Sequence, residues 1–176
     1  SSTTRHTDAS AAADTAKNQR TDRCAVLHNV SAEIISLSFG SMTSDGFTVT
    51  QNGTPTANVR VYYVAIYGGL WKAGSFASST GTGTTDVTTT GVDPALVILQ
   101  TVGATASTSI QTGGKRGMGM ADGTRQWAVA YDDLDAADPT NSSTYLHTTA
   151  ALVSITANGA TPTLNDPSIT TWSYSV

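Results

Sequence analysis

The chain has 176 residues and a formal net charge of −4, with 39% apolar and only 12% charged residues. That length allows one domain or two small ones, with a core that needs neither metal nor disulfide. The acidic balance and a pI near 5.0 argue against a nucleic-acid binder, and the few basic residues are scattered.

Charged residues stand at about half their usual share, and Thr, Ser, Ala and Gly take their place. This suits strands whose outer faces are polar but uncharged, and such faces are easily buried against neighbouring subunits. Cys24 is the only cysteine; opening Cys24-Ala-Val-Leu27, it reads as a small core residue. No apolar run has the length of a membrane-spanning helix, and no charged-then-apolar start reads as a signal peptide. Ser1 in place of Met reads as a processed end or as the start of a piece of a longer product.

Residues 1–23 read as a polar arm or loop, and residues 24–176 as a β-sandwich domain. Within the arm, 8–17 suits either a short helix capped by Asp8 or a surface loop. Residues 24–29 and 33–39 read as strands, the second with Ile35, Leu37 and Phe39 inward and Ser36 and Ser38 outward. Next comes the apparent centre of the sheet, a hairpin of 46–52 and 58–67 around Asn52-Gly53. Val61, Tyr63, Ala65 and Tyr67 lie on one face of its second strand, and Tyr62, Val64 and Ile66 on the other. A strand apolar on both faces needs cover on both. Residues 70–76 suggest a short edge strand, and 77–90 a Ser/Thr/Gly-rich loop whose end, 84–90, has strand propensity. Residues 92–101 read as a second buried strand and 105–110 as a short one. In 125–131, Trp127, Val129 and Tyr131 alternate with Gln126, Ala128 and Ala130, as core-facing aromatics do. Residues 150–156 and 169–176 close the chain as strands.

The chain echoes itself at an offset near 125 residues, 8–50 resembling 132–175. Asp8…Ala12-Ala13-Asp14 matches Asp132…Ala136-Ala137-Asp138, and Phe47-Thr-Val-Thr50 matches Trp172-Ser-Tyr-Ser175. Such a repeat suits two related sheets packed face to face, or subunits in which a neighbour completes what one chain leaves unfinished.

Motifs that carry chemistry are few. Asp132, Asp133, Asp135 and Asp138 form the candidate site for a hard cation such as Ca²⁺, against the plainer reading of a solvated turn. The run lacks the central Gly and closing Glu of an EF-hand. Gly113-Gly-Lys-Arg-Gly117 fails as a phosphate loop, since Arg116 stands where Ser or Thr belongs; it reads as a mobile or interface-forming loop. His6, His28 and His147 are dispersed without zinc spacing, and no nucleophile elbow occurs. No catalytic residue is assigned, and no cofactor beyond that cation. Trp71, after Gly68-Gly69, is the aromatic best placed for a sugar-binding platform.

The segments Asp45-Gly-Phe-Thr-Val-Thr50, Asn58-Val-Arg-Val-Tyr-Tyr-Val-Ala-Ile-Tyr-Gly-Gly69, Gly74-Ser-Phe76, Val92-Asp-Pro-Ala-Leu-Val-Ile98 and Gly119-Met-Ala-Asp-Gly-Thr-Arg-Gln126 resemble β-rich structural proteins of tailed bacteriophage virions. The resemblance implies a non-enzymatic building block of a capsid (as a decoration protein) or a tail, located in the virion. Its partners would be other copies of itself and other virion proteins. The expected fold is all-β, a two-sheet antiparallel sandwich or jelly-roll-like arrangement with little helix. The alternative function is an extracellular glycan-binding β-sandwich module; a hydrolase is the weakest reading. Neither nucleic acid nor membrane is expected as a partner.

Overall fold

The computed structural model describes residues 2–6, 15–29, 31–55, 58–78, 84–88, 91, 93–103, 109–133, 142–155 and 169–173. The fold is all-β and sandwich-like. Twelve strands are described: β1 (Ser2–His6), β2 (Thr15–Gln19), β3 (Ala25–His28), β4 (Glu33–Met42), β5 (Phe47–Asn52), β6 (Val97–Thr101), β7 (Gln111–Thr112), β8 (Gly114–Ala121), β9 (Gln126–Asp133), β10 (Ser142–His147), β11 (Leu152–Ile155) and β12 (Ile169–Trp172). They form sheets of order β1-β2-β7, β10-β9-β8-β6, β11-β12 and β3-β4-β5, with every pairing antiparallel.

The core lies between β11 and the four-stranded sheet. The tight turn from β8 into β9 is built by Asp122, whose Oδ1 accepts from the amides of Thr124 (3.1 Å) and Arg125 (2.7 Å). Gly123 beside it has φ +81°, a left-handed value that favours glycine. The hairpin so made places Gly117 opposite Ala130 and Gly119 opposite Ala128. These small residues form a smooth inner face. A Cβ on Gly117 would overlap the Val153 carbonyl oxygen, and one on Gly119 that of Ala151. The backbone of β11 therefore lies directly on glycine, and all four of its residues are buried. Val153 and Ile155 complete the cluster with Ala128, Ala130 and Ala150, and Tyr145 packs against it. Burying an aliphatic side chain of that size contributes roughly 1.5–3 kcal/mol.

Several expectations are corrected. The glycine-rich run 113–117 is no loop: from Gly114 it belongs to β8, an inner strand, because its glycines admit β11. The faces of β9 are reversed. Ala128 and Ala130 are buried while Trp127 and Val129 are more than a third exposed, since only alanine fits beneath β11. Residues 2–6 and 15–19 pair antiparallel and β2 is largely buried; of 8–17, read as a short helix or a surface loop, 8–14 lie outside the described residues. Cys24 is exposed, its thiol donating to the Leu37 carbonyl at 3.0 Å. In β4, Ile35 and Ser36 are both buried and Phe39 is exposed. Strand β6 begins at Val97, stands at a sheet edge and leaves Ile98 exposed. Neither 70–76 nor the described part of 84–90 forms a strand, and of 105–110 only 109–110 are described, also outside any strand.

The largest correction concerns the supposed central strand. Residues 58–67 join no sheet and every one of them is exposed. β5 pairs instead with β4, through a turn in which the Thr43 amide donates to the Gly46 carbonyl at 2.9 Å. Gly53, at φ +87°, leads the chain out over the Ile34 carbonyl rather than reversing it into a new strand.

One pairing register recurs, but at 127 residues: His6 pairs with Thr15 and Asp133 with Ser142 (133 − 6 = 142 − 15 = 127), an offset different from that of the matched runs (138 − 14 = 124; 172 − 47 = 125). β3 and β11 begin at the same displacement (152 − 25 = 127). The matched runs 8–14 and 136–138 lie outside the described residues.

Candidate functional site

The most conspicuous surface is the stretch from Val59 to Phe76. Tyr62 and Val64 are 83% and 87% exposed, and Tyr67 is wholly so. Tyr63 meets Phe47 edge to face, ring centroids 5.2 Å apart, which ties the stretch to β5 of its own chain. From Val61 to Trp71 there is no charged side chain. A contiguous apolar patch of this kind is unusual on a monomeric surface.

Trp71 is organised by the turn before it. Gly68 and Gly69 both have positive φ, and the chain folds back so that the Trp71 indole N–H donates to the Gly68 carbonyl. The ring stays 58% exposed. Its aromatic face is therefore available to a sugar or to another protein, while its polar handle is already engaged.

A second uncovered surface is the outer face of the β10-β9-β8-β6 sheet, opposite the one β11 covers. It carries Ile98, Met118, Met120, Trp127, Val129 and Leu146, all exposed. The Arg125 guanidinium stands 5.4 Å from the Trp127 ring centroid, within cation–π range. Sequence reasoning missed this face. Its signal was the alternation of Met118 and Met120 with Gly117 and Gly119, large residues outward and small ones inward.

The acidic run divides. Asp132 and Asp133 end β9 and are fully buried. Asp133 accepts from the Tyr131 hydroxyl at 2.6 Å and the Ser142 hydroxyl at 2.8 Å. The Lys115 ammonium stands 3.9 Å from Asp132 Oδ1. Lys17, buried on β2, feels both Lys115 and Asp132. Its pKa is pushed down mainly by burial and then by the like charge of Lys115, while Asp132 pulls it up. Burial, helped by the hydrogen bond to Asp133, raises the Tyr131 hydroxyl to about 12. The two carboxylates thus lock β9 to β10 and to the lysines beside them. Asp135 and Asp138 lie outside the described residues, and among the described residues no three His, Cys, Asp or Glu side chains gather to hold a metal.

No protein-family model, curated protein or solved structure matches this chain.

Proposed function

We propose that this protein is a non-enzymatic structural component of a virion or a similar assembly, working in many copies through β-rich subunit contacts. The observation that carries the reading is the uncharged, largely apolar stretch from Val61 to Trp71, left exposed by its own chain. A surface of this kind is suited to burial between subunits, since no charge must be desolvated to bury it. The likeness of 45–126 to tailed-phage structural proteins points the same way. Sedimentation velocity on the purified chain tests it. The expected species is a multimer of the 18.1 kDa chain; a monomer at every concentration contradicts the reading.

A second reading, a glycan-binding module, is favoured by the exposed Trp71 ring with Tyr62 and Tyr67 nearby in sequence. Saturable quenching of tryptophan fluorescence by an oligosaccharide, lost in Trp71→Ala, would move the assignment to it.

A further inference from the structure

Three ionisable side chains meet at one end of the core. Lys115 and Asp132 are direct neighbours across β8 and β9. Both project to the inner face, since each stands two residues from the inward pair Gly117 and Ala130. Asp132 is fully buried and the Lys115 side chain is only 14% exposed. The Lys115 stem is held in place: with Ser154 Oγ it borders the space beside Gly103 that a side chain there would need. Its Nζ stands 3.9 Å from Asp132 Oδ1, in contact with the carboxylate but beyond hydrogen-bond length. Lys17 on β2 is also buried and lies close enough to feel the charges of both.

A buried ion pair is held at a cost, because both charges have left water. Joining the two groups as an amide removes both charges at once. Bulk water opposes such a condensation. A pair fixed in contact inside a protein, however, reacts at an effective concentration on the order of 10⁵ M or more. The step also needs a group that can take and return a proton, and Lys17 fits that need. Burial, then the like charge of Lys115, pushes its pKa down, which makes its neutral amine more accessible.

We propose that Lys115 Nζ and Asp132 Cγ condense, with loss of water, into an intrachain amide that joins β8 to β9. Lys17 relays the Lys115 ammonium proton to an Asp132 carboxylate oxygen. The neutral Lys115 amine then attacks Cγ; the N–C bond forms and the C–OH bond breaks. The hydroxyl leaves as water with one of the two amine protons, and the other stays on the amide. No oxidant, reductant or cofactor takes part. The bond closes a loop of 18 residues (132 − 115 + 1 = 18). The inference is independent of the assembly reading above.

Intact-mass spectrometry of the purified full chain, denatured, tests it. The expected mass is one water below that of the sequence. Trypsin locates the bond: cutting after Lys72, Arg116 and Arg125, it should release 73–116 joined to 126–176 as one branched species. Lys115→Arg and Asp132→Ala should restore the full mass. Lys17→Met should slow the joining on the order of 100-fold, seen as unjoined mass in freshly made protein whose circular dichroism matches the wild type. A wild type of full mass, with cleavage restored after Lys115 and 126–176 released alone, overturns the proposal whether or not any variant folds. A loss of water that persists in Lys115→Arg overturns it too, placing the dehydration elsewhere, as in a cyclic imide at Asp45-Gly46 or Asp122-Gly123. A Lys17→Met chain that joins at wild-type speed overturns the relay.

Discussion

At the residue scale, Asp133 is fully buried and accepts two hydroxyl hydrogen bonds, from Tyr131 and Ser142. Asp133→Ala removes the acceptor shared by the half-buried Tyr131 hydroxyl and the exposed Ser142 hydroxyl and leaves the first without its charged partner. The expected loss is roughly 2 kcal/mol, read as a lower urea midpoint. Tyr131 supplies a pH signature. Its pKa rises from 10.0 to about 12 on folding. A raised folded-state value means the stabilisation is complete below the unfolded pKa and is lost as pH climbs through the folded one. Wild-type stability should therefore fall more steeply between pH 10 and about 12 than that of Tyr131→Phe. Denaturant midpoints measured below and inside that window check this. The sequence showed a cluster of carboxylates and suggested a cation. What it hid was that Asp132 and Asp133 finish a strand beside Lys115, because that lysine lies seventeen residues upstream and meets them only through the register of β8 on β9.

At the scale of elements, the sheet-to-sheet contact depends on glycine. β11 passes so close to β8 that any side chain at Gly117 displaces the Val153 backbone. Gly117→Ala is expected to cost about 3 kcal/mol through overpacking. Met118→Ala, one residue on but outside, should cost under about 1 kcal/mol in the isolated chain. Thermal melts of the two variants separate the faces of the strand. Strands β3, β4, β9, β11 and β12 were legible because period-2 alternation or short apolar runs mark them whatever lies across the sheet. β8 was not, since glycine lowers strand propensity and its reason for being there is the neighbour above it. The faces of β9 were misassigned for the same reason: the larger side chains looked like core, but the space beneath β11 admits only Ala128 and Ala130.

At the scale of the whole molecule, the β1-β2 and β9-β10 pairings share a register at a displacement of 127 residues (133 − 6 = 127), while the strands that flank them differ. β11 lies packed on β8 and β9, whereas the β3-β4-β5 sheet leaves Phe39, Met42, Phe47 and Val49 exposed and leads into the exposed stretch 59–76. Sequence periodicity placed that stretch inside a sheet; in the structure 58–67 join none and are exposed.

The account turns on whether other copies cover that stretch. Hydroxyl-radical footprinting, with protein concentration raised through the assembly range, measures it directly. Oxidation of Tyr62, Val64, Tyr67 and Leu70 should fall as the chain assembles, while that of exposed Tyr and Leu side chains in a denatured control stays unchanged. Oxidation of those four residues at the same high rate at every concentration would contradict the claim that this surface joins one copy to the next.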